Sequence, residues 1–299
     1  MIVNSINTGA SNSLNMESYK NPVCEKEDCI GVEESIGNIT ADVAVIAHRG
    51  ASIEAPENTL PAFILAAQKG YTTVECDISW TKDSVPVLLH DSTINRTARK
   101  ENGWGFIFSK KCSNYTFEEL KELDFGSWKS KEYIGTRIPS FEEALKCCEE
   151  YGLNLYVELK KTDDFNIEKA KILSELVKQS GLEEKVTWIS FNSDYLKTMS
   201  ELMPNSRLGY LSENEPDEKT IEIINSLKTG NNEVFLNIDA FEMNKQADLM
   251  LDEAGIDFEA WNVDDEKILE KMISYDCDGI TTDIFTQNEV NEFIDLYDE

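Results

Sequence analysis

A chain of 299 residues that is 41% hydrophobic and 9% aromatic can bury one large core, and barrels of roughly 250 residues fold around a single one. The net charge of −29, from 57 acidic against 28 basic residues, comes with no long block of Lys or Arg, which argues against a nucleic-acid binder or an anchor for anionic membranes. If the substrate is itself an anion, a bound cation and a few well-placed basic residues must offset that unfavourable field.

Residues 1–42 read as a polar arm rich in Asn, Ser, Gly and Glu. They hold no apolar stretch behind a basic start, so they do not read as a secretory signal, and no run of about 18 apolar residues exists to span a bilayer. The seven cysteines are odd in number and include the adjacent Cys147 and Cys148, a pattern unlike a disulfide framework. A cytoplasmic protein is expected, with Cys24 and Cys29 of the arm as free thiols.

From residue 43 to 299 short β-branched runs alternate with helical patterns. Strands are predicted at 43–48, 72–79, 85–89, 153–159, 186–190, 207–211, 233–238, 256–262 and 278–282. Helices are predicted at 57–69, 140–151, 164–181, 193–202, 217–228, 241–254, 264–275 and 285–297. The link between the second and third strands carries turn chemistry but is too short for a helical crossover, so the third should fold back as a hairpin. Eight βα units then remain, which predicts a (β/α)8 TIM barrel with its active site at the C-terminal ends of the strands.

The only two histidines, His48 and His90, each end an apolar run. Imidazole exchanges protons near neutral pH, so the two make a natural acid/base pair. A hairpin turn centred near Asp83 pairs residues whose numbers sum to about 166, which returns His90 beside Cys76 and Asp77 at the rim that His48 also reaches. Glu75 and Asp77 share one face of the second strand, and Glu158 with Lys160 shares one face of the next barrel strand. Three acids at one rim repel, leaving protonation or a cation as the way out. All-oxygen ligation selects a hard ion, Mg²⁺ or Ca²⁺. Arg49 and Lys160 supply a forked donor and a point charge suited to phosphate. No Gly-rich nucleotide loop follows a strand.

The ordered series His48-Arg49-Gly50, Pro56-Glu57-Asn58-Thr59 with Ala62-Phe63, Glu75-x-Asp77, Thr81-Lys82-Asp83, Val87-x-x-His90-Asp91, Arg96-Thr97, Ile138-Pro139, Glu158-Leu-Lys160, Ser190-Phe191 and Thr282-Asp283 resembles the successive motifs of the glycerophosphodiester phosphodiesterase family. The resemblance implies a barrel enzyme that cleaves glycerophosphodiesters to sn-glycerol 3-phosphate and an alcohol. By match, His48 and His90 are the acid and base, Glu75, Asp77 and Glu158 bind a divalent cation, and Arg49 and Lys160 contact phosphate. Residues 91–137 correspond to the family's insertion after the hairpin; its Trp104, Phe106, Phe108, Tyr115, Phe125, Trp128 and Tyr133 either roof a glycerol pocket or form a small cap core. The family commonly carries Trp-Thr-Val-Asn near the end of the seventh barrel strand, whereas this chain reads Trp261-Asn262-Val263-Asp264. Trp261 is retained and expected to face the glycerol carbons or pack the barrel; the changed neighbours leave substrate orientation open. Alternative readings are a phospholipase-type diesterase on a lysolipid or phosphoinositide, which the absence of an amphipathic basic anchor disfavours, and a catalytically silent metal- or phosphodiester-binding protein, which would not need both histidines.

Overall fold

The computed structural model describes residues 43–100, 103–160 and 165–297; the arm expected over 1–42, with Cys24 and Cys29, lies outside the described residues. Among the described residues there are nine strands, one for each predicted: β1 Ala44–Ala47, β2 Thr73–Trp80, β3 Pro86–Leu88, β4 Asn154–Leu159, β5 Val186–Ser190, β6 Arg207–Ser212, β7 Glu233–Asp239, β8 Phe258–Trp261 and β9 Gly279–Thr282. The helices are α1 Leu60–Gln68, α2 Phe117–Lys121, α3 Phe141–Tyr151, α4 Ile167–Ser180, α5 Ser193–Leu202, α6 Glu218–Leu227, α7 Lys245–Ala254, α8 Glu266–Ile273 and α9 Gln287–Tyr297. Eight of these follow the predicted positions. Only α2 was not foreseen: at five residues it shows no apolar period, and its signal is a capping box in which Thr116 and Glu119 satisfy each other's backbone N–H.

Strands β1, β2 and β4 to β9 pair in parallel around a ring, which closes where Ala44 pairs with Gly279 on one side of β1 and Ile46 pairs with Thr73 on the other. This is a (β/α)8 TIM barrel. Strand β3 stands outside the ring, antiparallel to β2, with Ile78 opposite Leu88, Ser79 opposite Val87 and Trp80 opposite Pro86. Each pair sums to 166, the register expected from a turn at Asp83. β1 ends at Ala47, so the upper edge of β2 has lost its barrel partner there and β3 takes up its ladder, down to the Leu89 N–H donating to the Asp77 carbonyl at 2.9 Å. The rim is thereby parted between β1 and β2, with one histidine delivered to each side.

Apolar side chains on the outer strand faces pack against the helices, with Phe63, Phe141, Trp188 and Leu173 fully buried. Inside the ring a separate cluster of Ile46, Tyr156, Ile189, Leu211 and Phe235 fills the waist. Gly209 is required there, because a Cβ would lie 2.6 Å from the Phe235 ring. Beneath it, at the N-terminal end, Arg207 bonds Glu233 at 2.6 Å and the buried Glu259 at 2.7 Å, and the Tyr156 hydroxyl donates to Glu259 at 2.8 Å. The barrel is thus plugged from below, and chemistry is confined to the C-terminal rim.

The insertion folds on its own small core of Ile94, Ala98, Cys112, Leu120 and Phe125, with Phe106 and Tyr115 packed against it. None of the seven aromatics proposed as a roof lines the central cavity, and Trp104 and Phe108 are 74% and 76% exposed. The cap-core alternative therefore holds for Phe106, Tyr115 and Phe125, whereas Trp104, Phe108, Trp128 and Tyr133 belong to neither that core nor the cavity lining. Among the described residues Cys76, Cys112, Cys147, Cys148 and Cys277 are free and buried, and no helix is long and apolar enough to cross a membrane.

Candidate active site

The site is assembled where β1 stops. The His48 N–H still donates to the Thr282 carbonyl of β9 at 3.0 Å, but Arg49 and Gly50 turn into the left-handed region with φ of 59° and 80°. Gly50 is needed because a Cβ would fall 2.8 Å from Ala62 at the start of α1. Arg49 pays a backbone strain of about 1 kcal/mol or more. It is held by its N–H donating to Glu75 Oε2 at 3.0 Å and its carbonyl accepting from the Asn58 N–H at 3.0 Å.

Glu75 and Asp77 point inward from β2, and Glu158 stands directly opposite Asp77 on β4. One carboxylate oxygen from each of the three lies within 4.8 Å of the others, and all three residues are buried. Asp77 is gripped by Asn58, whose Nδ2 donates to its Oδ2 at 2.7 Å while the Asp77 N–H donates to Asn58 Oδ1 at 3.1 Å. Lys160 Nζ sits 2.8 Å from Asp77 and 2.6 Å from Glu158, and Arg49 Nε lies 3.4 Å from Asp77. Burial, and then the repulsion of Asp77, push the Glu75 and Glu158 carboxyls up. Burial acts the same way on Asp77, but Lys160 and Arg49 outweigh it and hold that carboxyl below the usual range. With all three acids ionised, the two fixed cations would leave an excess negative charge in a buried place, which either protonation of the raised Glu75 and Glu158 or a bound cation relieves. The donors are all carboxylate oxygens, so the set fits a hard divalent cation rather than zinc.

Both histidines are held through Nδ1 by an aspartate. His48 Nδ1 lies 2.9 Å from Asp283 Oδ1, which also accepts from Ser52 Oγ at 2.7 Å, and the Asn262 amide is 2.9 Å from the same ring nitrogen. Burial lowers the His48 pKa, but the Asp283 hydrogen bond and the Glu75 charge outweigh it, so the net shift is upward. His90 Nδ1 lies 2.9 Å from Asp91 Oδ1. Its pKa is lowered, by burial first and by Lys160, against the opposing pull of Asp77. Asp91 is itself clamped by Arg96, with Nε 2.8 Å from Oδ2, and Arg96 also binds Glu57, the partner of Arg49 Nη1 at 2.9 Å.

These groups border a cavity of about 240 Å³ at the barrel mouth. His48, Arg49, Glu75, His90, Glu158 and Lys160 line one side, and Ile189, Phe191, Leu211 and Trp261 line the other. Trp261 meets Phe191 edge to face at 5.6 Å and donates from Nε1 to the Asn237 carbonyl at 3.2 Å, so its ring forms a fixed apolar wall. Of the eight residues singled out in the sequence, seven border this cavity; Asp77, 1% exposed, does not reach its surface but completes the acid cluster. Asn58, Glu57, Asp91, Arg96 and Asp283 stand in the motif series, yet nothing in it discloses their roles, which depend on partners up to 235 residues away. Asn237, buried at the cavity with neither amide atom bonded, carried no sequence signal at all.

A model of the glycerophosphoryl diester phosphodiesterase family matches residues 48–286, the span that contains every one of these groups. The chain belongs to that family. A glycerophosphodiester phosphodiesterase of Caldanaerobacter subterraneus subsp. tengcongensis is 30% identical over 244 residues, covering 80% of this chain and 93% of that protein. Among solved structures, an Oleispira antarctica phosphodiesterase in complex with the product sn-glycerol-3-phosphate is 30% identical with a TM-score of 0.74, covering 84% of this chain and 96% of that one. The glycerophosphodiester phosphodiesterase of Thermotoga maritima is 26% identical with a TM-score of 0.63, covering 85% and 98%. As a member of the glycerophosphoryl diester phosphodiesterase family, this chain is a phosphoric diester hydrolase, and its acid cluster can hold a divalent metal.

Proposed function

We propose that this chain hydrolyses water-soluble glycerophosphodiesters to sn-glycerol 3-phosphate and an alcohol, with His48 and His90 exchanging the protons and Glu75, Asp77 and Glu158 holding one divalent cation, Mg²⁺ or Ca²⁺. The observation that carries the reading is the convergence of both histidines, the three acids, Arg49 and Lys160 on one small cavity plugged from below. A cation bound by that donor set would supply positive charge against the phosphate oxygens and lower the pKa of a neighbouring hydroxyl.

The chain's own groups account for the proton transfers. One imidazole removes the proton of the glycerol hydroxyl beside the phosphoester, and that oxygen forms a bond to phosphorus. The bond from phosphorus to the departing alcohol breaks as the other imidazole protonates its oxygen. Water then opens the resulting cyclic phosphate with the two proton transfers reversed. Arg49 and Lys160 orient the phosphate and oppose its growing charge, Arg49 by a planar fork and Lys160 as a point charge. The wall of Trp261, Phe191 and Leu211 receives the glycerol carbons and leaves the alcohol toward the mouth.

The cyclic route is tested by offering glycerol cyclic phosphate as a substrate and following ³¹P NMR. Ring opening to glycerol phosphate at a rate no slower than diester turnover is expected. Brisk diester hydrolysis by a chain that leaves the cyclic phosphate untouched would replace this route by direct attack of water.

A further inference from the structure

The sequence Trp261-Asn262-Val263-Asp264, where the family pattern has Trp-Thr-Val-Asn, gains a place in the structure through its second and fourth residues. Asp264 reaches the turn after β9, and Asn262 reaches His48 in the turn after β1. Asp264 Oδ1 accepts from Thr282 Oγ1 at 2.9 Å and from the Asp283 N–H at 2.7 Å. Thr282 Oγ1 accepts in turn from the N–H groups of Ile284 and Phe285 at 3.1 and 3.2 Å, so the backbone on both sides of Asp283 is tied down. The Asp283 carboxylate is left one direction to face. It meets Ser52 Oγ at 2.7 Å and His48 Nδ1 at 2.9 Å, and the Asn262 amide closes on the same ring nitrogen at 2.9 Å.

We infer that Asp283 is the positioning residue of His48, fixing its proton on Nδ1 so that Nε2 serves the substrate, and that Asn262 and Asp264 complete the bracket that holds the pair. This rests on the reading of His48 as an acid/base group. An ionised carboxylate only accepts hydrogen bonds, so the nitrogen that faces it must carry the proton. The neutral ring then keeps its lone pair on Nε2, the nitrogen free to take a proton from a hydroxyl in the cavity, and the protonated ring donates from the same atom. The Asn262 atom that lies 2.9 Å from Nδ1 is Nδ2, an NH2 nitrogen that can donate only to an unprotonated ring nitrogen; a proton on Nδ1 therefore requires that amide to be turned by 180°, so that its carbonyl oxygen faces the ring, the two ends of an amide being nearly equal in shape. Asp264 does not touch His48 and acts through the Asp283 backbone.

The chain has only two histidines, so long-range ¹H–¹⁵N NMR of the imidazoles shows just two rings, assigned by comparison with His90→Asn. In the unsubstituted chain, above the ring's titration, His48 should show the Nδ1–H tautomer; an Nε2–H tautomer there overturns the inference without any variant having to fold. Asp283→Asn should shift His48 toward the Nε2–H form and lower kcat by about 10² to 10⁴ with KM changed by no more than a few-fold, the behaviour of a mis-set tautomer. Asp283→Glu should restore the Nδ1–H form and part of kcat. Asp283→Asn with unaltered tautomer and kcat, beside an inactive His48→Ala, would refute the bracket. Wild-type turnover by His48→Ala would instead refute the acid/base reading, whatever the tautomer.

Discussion

Asn58 is a small residue on which the acid cluster depends, and Asn58→Ala measures how much. Its side chain is 3% exposed and bonds Asp77 twice, donating to the carboxylate at 2.7 Å and accepting from the backbone N–H at 3.1 Å. A hydrogen bond to a charged group is worth about 1.5–3 kcal/mol, and a buried N–H left unpaired costs about 1–3 kcal/mol. Asn58 also has a φ of 55°, which Asn tolerates better than Ala, adding about 0.5–1 kcal/mol. Partial relaxation makes the sum less than additive, and Asn58→Ala should lose about 3–5 kcal/mol, a large share of the roughly 5–15 kcal/mol that holds a domain together. Urea unfolding with chelator present isolates this from any effect on cation binding, and a lower midpoint at unchanged slope is expected. A loss below about 1 kcal/mol would mean that Asp77 is held by Lys160 and Arg49 alone, and the reasoning would fail.

At the barrel floor Arg207→Met strands Glu259, 1% exposed, and should cost about 3–5 kcal/mol, whereas adding Glu259→Leu should recover most of it; equal instability of the double variant in urea would show that the pair is not the cause. Arg96 holds the Asp91 carboxyl at about 2, below its unfolded value of about 3.9, so this contribution is present above about pH 4 and lost as pH falls through about 2. Arg96→Gln should therefore lower the urea midpoint at pH 5 and converge on the unsubstituted chain near pH 2; a constant difference across that range would contradict the linkage. Trp261→Ala removes the apolar wall from the cavity and should raise KM about tenfold with a smaller change in kcat, since the ring makes uniform contact rather than charge stabilisation. A fall in kcat at constant KM would place Trp261 in the chemical step.

Much of the barrel was legible because its information is local. Most of the parallel strands are short, largely buried apolar runs, several of them β-branched, each long helix carries an apolar period and most begin with a capping Ser, Thr, Asp or Asn, and the hairpin register followed from one turn. The residues of the candidate site were legible for a related reason, because strand alternation alone puts Glu75, Asp77, Glu158 and Lys160 on inward faces. What escaped the sequence is what depends on distant partners. Asp283 lies far along the chain from His48, Asn58 reaches Asp77 only after α1 has folded back on β2, and Lys160 proved to bind the acids as well as to face the cavity. The aromatics of the insertion were ambiguous because apolar rings favour a cap core and a pocket roof equally; only packing separates the two.

The most direct measurement is release of sn-glycerol 3-phosphate from a panel of glycerophosphodiesters and a lysolipid, with chelator and after adding back Mg²⁺ or Ca²⁺, in the unsubstituted chain, His48→Ala and His90→Ala. Release from the soluble diesters that stops with chelator, returns with the cation and falls by at least about 10² in each histidine variant is predicted. Full release in the presence of chelator, or near-normal turnover by either histidine variant, would contradict the account.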